Sequence, residues 1–303
     1  MSKINLKQVA IIGLSAAFIS SASNAGKLSF WDNSWTDFTN PAVDINGNLV
    51  NEDISDERRF NFVDPGYGGQ KFDAEYVFYK VEGDTVSIGL QTGFDVRDGH
   101  IKYGGQHYWT GDIALSFDGN ATLGDSSTFE YAADFGLKQC GYASRNIDSR
   151  GSSCVANDDY TDLVAGLYEV DQWSSDDAIY FEESNPFAMD IPMAADGTPV
   201  DNIGFSTEAG VGTTVDTYTK SDGTTGTKTR TSYYRTISFN YVDLGVNLSD
   251  VDVHWTMSCG NDAINGDLNY SPTSPSAVPE PASLALLSLG LLGLLRLRAK
   301  ARK

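Results

Sequence analysis

Apolar and polar side chains alternate with period two along several short stretches of this chain. The first lies at residues 72–79, where Phe72, Ala74, Tyr76 and Phe78 alternate with their neighbours. After the turn-forming sequence VEGDT, the alternation resumes with Val86, Ile88 and Leu90. Such alternation is typical of β-strands that bury one face. Residues 72–92 are therefore predicted to form a β-hairpin.

The same pattern returns further along the chain. DIALSFD (112–118) and FEYAADF (129–135) alternate on either side of the turn-forming DGNATLGDSS, which predicts a second hairpin. Later strands are expected in AGLYEVDQW (165–173), RTISFNYV (235–242) and VDVHWTMS (251–258). Apolar residues of the last two segments fall on one face: Ile237, Phe239 and Tyr241 in one, and Val251, Val253, Trp255 and Met257 in the other.

One-sided apolar faces need a second layer to cover them, and the sequence offers no amphipathic helix of 12 or more residues for this purpose. Two sheets must therefore cover each other. The predicted fold is all-β: one antiparallel β-sandwich domain of jelly-roll type, spanning residues 26–270.

The segment from Ser206 to Ser232 is nearly free of large apolar residues and carries ten threonines. It is either an exposed hairpin that turns at Ser221-Asp222-Gly223 or a flexible loop that offers hydroxyls for O-glycosylation. We expect the loop.

The two ends of the chain carry export features. Lys3 and Lys7 precede the apolar run Val9–Ile19 and a small polar segment, an order typical of a secretory signal peptide over residues 1–25 with cleavage at Ala25. At the other end, a Ser/Pro linker (271–278) precedes a tail at 279–303.

The tail begins with Pro279, Glu280 and Pro281 and continues with an apolar run of 14 residues, 282–295. A comfortable membrane-spanning helix needs roughly 20 residues, so this helix is a marginal anchor that suits temporary residence. Five basic residues follow, and clustered positive charge stays on the cytoplasmic side, which places the body outside. They are Arg296, Arg298, Lys300, Arg302 and Lys303.

The tripeptide, the Leu/Gly-rich helix and the basic end together resemble the PEP-CTERM sorting signal. This resemblance implies processing by a membrane-embedded exosortase near Pro279-Glu280-Pro281. Blocks of the body, among them DPGYGGQKFDAEYVFY, YWTGDIALSF and HWTMSCGND, are similar to exosortase-dependent surface proteins of Gram-negative bacteria. That group has no assigned activity, so the resemblance implies a destination and no mechanism.

The body is strongly acidic. The chain has 21 basic and 41 acidic residues; the two ends hold seven of the basic residues and Glu280, which leaves 14 against 40, or −26, over residues 26–278. Such a surface repels nucleic acid and anionic lipid, so neither is an expected partner of the body. Membrane contact is expected only through the C-terminal helix before processing.

Three cysteines occur in a chain predicted to reach an oxidising compartment. Cys140 and Cys154 are separated by 13 residues rich in Gly, Ser and Asp, so they can close a surface loop as a disulfide. Cys259 is then a lone thiol, buried or pairing between chains, unless it takes one of the other two.

No catalytic constellation is found. His100, His107 and His254 lack metal-binding spacing, with His254 expected to face outward on its strand and the other two to flank a Gly-rich turn, so no metal site is predicted. The body contains no G-x-S-x-G nucleophile motif, and carboxylate pairs such as Asp158-Asp159 arise by chance among 40 acids. The chain is predicted not to be an enzyme.

Calcium is the one cofactor kept as an alternative. Asp44, Asn46 and Asn48 have the alternate spacing of an EF-type loop, but Leu49 replaces the required Gly and Ser55 the required Glu. We expect an Asn-Gly turn there and a second one in GNDAINGDLN (260–269).

Together these features predict an exported protein that signal peptidase and exosortase process and release to the cell surface or exopolysaccharide matrix. Its role is expected to be structural or adhesive, with exopolysaccharide as a partner. The alternative is a secreted carbohydrate-binding module or glycan hydrolase that uses Trp31, Trp35, Trp109 or Trp173 on sugar rings. For these four a core or rim position is the preferred interpretation, and Trp255 is expected in the core.

Overall fold

A computed structural model describes residues 26–40, 42–43, 49–50, 70–122, 124–137, 139–140, 145–148, 151–154, 160–161, 164–171, 173, 185–189, 198–219, 224–260 and 262–271. For Gln106 and residues 42–43, 49–50, 139–140, 145–148, 151–154, 160–161 and 216–219, the description is confined to the backbone.

The described residues form eighteen β-strands and one four-residue helix, α1 (Tyr241–Leu244). The strands are β1 (Thr36–Asp37), β2 (Ala42–Val43), β3 (Leu49–Val50), β4 (Ala74–Glu82), β5 (Thr85–Thr92), β6 (His100–Tyr103), β7 (Gln106–Trp109), β8 (Ile113–Ser116), β9 (Tyr131–Asp134), β10 (Gln139–Cys140), β11 (Arg145–Asp148), β12 (Gly151–Cys154), β13 (Tyr160–Thr161), β14 (Gly166–Glu169), β15 (Ser206–Thr219), β16 (Thr225–Asn240), β17 (Val251–Thr256) and β18 (Ala263–Leu268). Short 3-10 turns lie at Gln70–Phe72 and Ser126–Thr128.

Three larger sheets organise these strands, and their strand pairs are antiparallel. The first sheet has the order β1-β4-β5-β16-β15, the second β14-β9-β8-β17-β18, and the third β11-β12-β7-β6. Two-stranded pairs β2-β3 and β10-β13 complete the set. The prediction of an all-β, antiparallel fold is confirmed. None of the helices in the described part of the chain has the length and apolar character needed to cross a membrane.

The predicted hairpin at residues 72–92 is present as β4 and β5. Glu82 pairs with Thr85, so the loop has two residues, and Gly83 takes the positive φ of 61° that this turn requires. A bulge lies between Ala74 and Tyr76, where the pairing register with β5 shifts.

This bulge corrects the predicted face of Tyr76 and Phe78. An inserted residue reverses the side-chain alternation along a strand. Phe72 and Ala74 therefore join the main core, whereas Tyr76 and Phe78 pack in a separate cluster on the other side of the sheet.

The threonine-rich segment 206–232 is not a loop, so that expectation was wrong. Strands β15 and β16 pair over fourteen consecutive residue pairs, from Ser206 opposite Ser238 to Thr219 opposite Thr225. β-branched Thr and Val favour extended backbone even where they bury little. β16 also pairs with β5 along Tyr233–Asn240, which holds the hairpin to the sheet.

One hydrophobic cluster contains apolar side chains from both five-stranded sheets. Val86, Ile88 and Ile237 enter it from the first sheet, and Leu115 and Trp255 from the second, all at 1% exposure or less. The predicted apolar faces of the last two segments are confirmed, since their residues belong to this cluster or pack against it.

The opposite faces of both sheets are also covered. Leu28, Trp31, Tyr76 and Phe78 form a cluster on the first sheet, with Phe30, Trp35 and Tyr234 packed against it. On the second sheet, a cluster of six side chains includes Trp173 and Met189, which are joined by a β-bridge. Each of these sheets therefore carries apolar clusters on both faces. The period-two pattern of the sequence predicts an apolar cluster on one face only.

The shared core gives a direct stability test. Val86→Ala removes two buried methyl groups, and we expect a loss on the order of 2 kcal/mol in the free energy of unfolding, including the cavity left behind. Val164→Ala is the matched control, because Val164 is 70% exposed and should change stability by less than about 0.5 kcal/mol. Chemical denaturation measures both, and equal losses would contradict the core assignment.

Candidate functional site

The predicted processing residues lie outside the described part of the chain. They are Ala25 at the signal cleavage point, Pro279, Glu280 and Pro281, and the basic residues Arg296, Arg298, Lys300, Arg302 and Lys303. The tail helix at 282–295 and the linker from residue 272 onward lie outside it as well. These assignments stay predictions as far as the structure is concerned.

The cysteines fall in three places. Cys140 ends β10 opposite Tyr160, and Cys154 ends β12 opposite Arg145 on one side and His107 on the other. The structure describes only the backbone of both, so their disulfide stays a prediction. Cys259 is fully buried in the core shared by the two five-stranded sheets.

Two of the three histidines form a pair. As predicted, His100 and His107 flank a Gly-rich turn, the one that joins β6 to β7 at Gly104 and Gly105. The Nε2 atom of His100 lies 2.8 Å from Nδ1 of His107, and the two rings stack with centroids 4.9 Å apart. His100 also packs on Trp109, with ring centroids 4.2 Å apart.

One proton between two ring nitrogens makes this contact a hydrogen bond, and two protons would make it repulsive. Burial lowers the pKa of His100 below 6.5, and the neighbouring His107 and Lys102 lower it further. Trp109 and the β6–β7 hairpin therefore hold a pair of imidazoles that resists full protonation.

The prediction for His254 was wrong. This side chain is fully buried, and its Nδ1 atom lies 2.6 Å from Oδ1 of Asn265 on the neighbouring strand. Its ring centroid is 5.9 Å from that of Phe129, which belongs to the cluster on the outer face of the second sheet. His254 does alternate with the core residues, but that outer face is covered.

Two buried carboxyl groups meet at the hairpin of β8 and β9. Asp112 precedes β8 and Asp134 ends β9, both are fully buried, and their side chains share a hydrogen bond. Burial raises the pKa of Asp134 well above 3.8, and the adjacent Asp112 raises it further. Asp112 Oδ2 accepts a hydrogen bond from Met189 N at 2.9 Å. Since a hydrogen bond between two carboxyl groups needs a proton on one of them, the pair keeps a shared proton to higher pH than a free aspartate does.

Arg235 and Tyr168 complete the surroundings of this pair. Arg235 donates to the carbonyl oxygens of Val96 and Arg97 at 2.7 and 2.6 Å, and burial lowers its pKa to about 10, so it stays charged at neutral pH. Burial and the two aspartates raise the pKa of Tyr168 to about 12. Both carboxyl groups of the pair are closed off from solvent in the structure.

A third polar cluster joins the first described residues of the body to the first sheet. Gln91 is fully buried, and its Oε1 accepts from Leu28 N at 2.9 Å and from Trp31 Nε1 at 2.7 Å. Its Nε2 donates to Gly26 O at 2.6 Å and to the buried carboxylate of Glu75. We call residues 26–35 the N-terminal clasp, because this glutamine and the aromatic cluster hold them against the sheet.

Two glycines make room for the clasp. A Cβ atom at Gly89 would lie 2.5 Å from the Trp31 ring, and one at Gly212 would lie 2.7 Å from Leu28. The absence of side chains at these positions therefore lets the clasp approach the backbone of the sheet.

No candidate metal site is found among the described residues, since no group of three or more of their His, Cys, Asp or Glu side chains is placed to hold an ion. Most of the EF-like segment around Asp44, Asn46 and Asn48 lies outside them. The second predicted turn, at 260–269, was wrong: Asn265 and Gly266 lie within β18. Gly266 is needed there because a Cβ atom would lie 2.7 Å from Phe38.

The tryptophans lie mostly inside. Trp31, Trp109 and Trp173 are at most 7% exposed, and Trp255 is 1% exposed, so the expected core positions are confirmed for these four. Trp35 is half-buried beside Trp31, with ring centroids 5.0 Å apart. The four buried rings cannot offer open faces to a sugar, which removes most of the residue basis for the glycan-binding alternative.

The sequence analysis did not find the pair Asp112 and Asp134 or the pair Gln91 and Glu75. For the carboxyl pair, however, one signal was present in the sequence. In the predicted hairpin, Ile113 pairs with Ala133, so the preceding Asp112 and the following Asp134 come opposite each other. No such signal exists for Gln91, because its partners Leu28 and Gly26 lie 63 and 65 positions away in the chain. Its contact with Glu75 depends on the bulge between Ala74 and Tyr76.

Comparison with known proteins identifies one segment. Residues 277–303 match the family model of the PEP-CTERM protein-sorting motif, which confirms the sequence-based recognition of the tail. No curated protein and no solved structure matches the chain. The motif indicates an exported surface protein that exosortase processes.

The carboxyl pair predicts a pH dependence of stability. The folded-state pKa of Asp134 is raised, so its stabilising contribution is complete below about pH 3.8 and is lost as pH rises through that raised pKa. The asparagine in Asp134→Asn cannot ionise. The melting temperature of this variant minus that of the wild type should therefore increase as pH rises from 4 to 8. Asp201→Asn, at an exposed position, is the control for the general loss of a charge. Parallel melting curves for the two variants would contradict the shared proton.

The histidine pair predicts a titration shift. His107→Ala removes a neighbour that lowers the pKa of His100, so that pKa should rise toward 6.5. Two-dimensional NMR of the imidazole resonances measures it. Lys102→Ala is the comparison: Lys102 is the last of the three contributions to the lowering, so its removal should raise the pKa of His100 less. An unchanged pKa in His107→Ala would contradict the coupling.

Proposed function

We propose that this protein is an exported, exosortase-processed component of the cell surface or exopolysaccharide matrix, with a structural or adhesive role and no catalysis. The match of residues 277–303 to the PEP-CTERM sorting motif carries this proposal. The net charge of −26 over residues 26–278 supports a matrix setting, because a strongly charged body stays solvated and repels its neighbours.

The proposed route has two cuts. Signal peptidase removes residues 1–25, and the apolar helix 282–295 then holds the chain at the inner membrane until exosortase cuts near Pro279-Glu280-Pro281. Gly26 supports the first cut site, since the residue directly after Ala25 is already buried and bonded to Gln91. The basic residues from Arg296 to Lys303 support the orientation.

The proposed architecture of the body is a β-sandwich of jelly-roll type. Its support is the single hydrophobic cluster to which both five-stranded sheets contribute. Sheets that share a core in this way pack face to face in sandwiches.

The non-enzymatic role is supported by the positions of the chemical groups. The carboxyl pair Asp112 and Asp134 is fully buried, and Glu75 is 3% exposed and bonded to Gln91, Ser232 and Gln70. Carboxyl groups that are buried and hydrogen-bonded in this way are typical of structural polar networks, which favours a non-enzymatic role.

The tail provides the test of this function. In a host that has its exosortase, we expect the mature protein to lack the basic C-terminal end, and replacement of Pro279-Glu280-Pro281 by three alanines should leave that end intact and the protein in the membrane fraction. Intact-mass analysis of the C-terminus and cell fractionation measure both. A linker variant, Ser271→Ala with Ser274→Ala, should be processed normally. A wild-type surface form that still ends in Arg302-Lys303 would overturn the proposal.

A further inference from the structure

Strand β15 (Ser206–Thr219) forms one edge of the first sheet, and no strand in the described part of the chain pairs with its outer side. It has 14 residues, whereas the other edge strands of the three larger sheets have between two and six. An edge strand presents a row of backbone N–H and C=O groups that can pair with another strand.

Proteins usually block such edges with proline, lysine or a bulge. β15 contains five threonines and two valines but no proline and no basic residue, and its pairing with β16 runs without a register shift. Its exposed apolar side chains are Val211 and Val215, at 48% and 51% exposure. The edge therefore keeps both the shape and the composition of a pairing strand.

The outer half of the hairpin also lacks support within its own sheet. β16 pairs with β5 only from Tyr233 to Asn240, so Thr225–Ser232 is paired with Gly212–Thr219 alone among the described strands. A two-stranded ribbon is marginally stable in water, and added strands stabilise it.

The distribution of charge favours a second copy of this protein as the partner of β15. Residues 206–240 hold four basic and three acidic side chains, a net charge of +1, whereas the rest of the body holds 10 against 37, or −27. Two copies of this protein repel each other least where their hairpins meet.

We propose that β15 pairs antiparallel with β15 of a second copy, around a two-fold axis at Thr213. In this register Val211 of each copy lies opposite Val215 of the other, so the exposed valines contact each other. Glu208 comes opposite Tyr218, and Asp216 opposite Gly210, so no two carboxylates face each other across the interface. The contact joins two five-stranded sheets into one continuous sheet.

The contact is small. Thirteen paired residues span about 43 Å, and with a sheet about 10 Å thick the interface covers on the order of 400 Å² per copy, about half of a standard stable interface. The dimer is therefore weak in dilute solution and forms where copies are crowded. This step rests on the proposed function, which concentrates the chains at a surface.

Disulfide trapping in the full-length chain tests the pairing. Residues opposite each other at a two-fold axis have Cα atoms about 4.5–5.5 Å apart, within the range that a disulfide spans. In cells that have the exosortase, Thr213→Cys should therefore give on the order of 10-fold more covalent dimer under mild oxidation than Val242→Cys, since paired thiols have a high effective concentration. Thr213 and Val242 are both exposed, Val242 at 51%, but Val242 lies outside the hairpin. Wild-type protein controls for the native cysteines.

Two further variants check the register. In the Thr213→Cys background, Val211→Lys with Val215→Lys places lysines opposite each other and should return the dimer yield to that of Val242→Cys, whereas Val242→Lys should leave it unchanged. Melting temperatures verify that each variant is folded. Equal yields for Thr213→Cys and Val242→Cys would overturn the pairing.

C-terminal masses measured on the same samples separate the two proposals. A monomer with a processed tail contradicts only the pairing, and a dimer with an intact tail contradicts only the processing.

Discussion

The hydrophobic core shared by the two five-stranded sheets is the constraint on which the rest of this structure depends. Val86, Ile88 and Ile237 from one sheet meet Leu115 and Trp255 from the other, and none of them is more than 1% exposed. Neither sheet can be stable alone, because each would expose this face to water. The hairpins, the bulge at Glu75 and the buried polar pairs are arranged around this contact between the two sheets.

Several buried polar groups join segments of the fold, and others join neighbouring strands of one sheet. Gln91 binds the N-terminal clasp and donates to Glu75. Asp112 bonds to the backbone at Met189, and His254 pairs with Asn265 under the outer cluster of the second sheet. A buried polar group costs free energy unless it is hydrogen-bonded, so each pair fixes one arrangement of its segment. Such hydrogen bonds offset the cost of burying several of the 40 acidic residues of the body.

Function divides between the tail and the body. Recognition of the tail needs only a short linear motif next to an apolar run, so residues 277–303 are matched without any tertiary structure. In the body, the long edge strand β15 is the largest backbone surface left unpaired among the described strands. Delivery to a crowded surface and weak pairing through an edge are physically compatible, since crowding compensates for a small interface.

The sequence by itself determined the all-β class, several of the strands and the sorting tail. Period-two alternation identified the hairpins at 72–92 and 112–135, because side-chain direction along a strand follows from local geometry. It failed where the answer depended on distant residues. His254 is buried because Phe129 and its cluster cover the outer face of the second sheet. Tyr76 and Phe78 lie on the other face of the first sheet because of the bulge. Gly89 is needed because the ring of Trp31 lies against it. The threonine-rich segment formed two strands that pair with each other, and β5 pairs only with the continuation of β16 at Tyr233–Asn240. Only the tertiary structure decided which faces are covered, since that depends on contacts between segments far apart in the chain, and local periodicity carries no information about them.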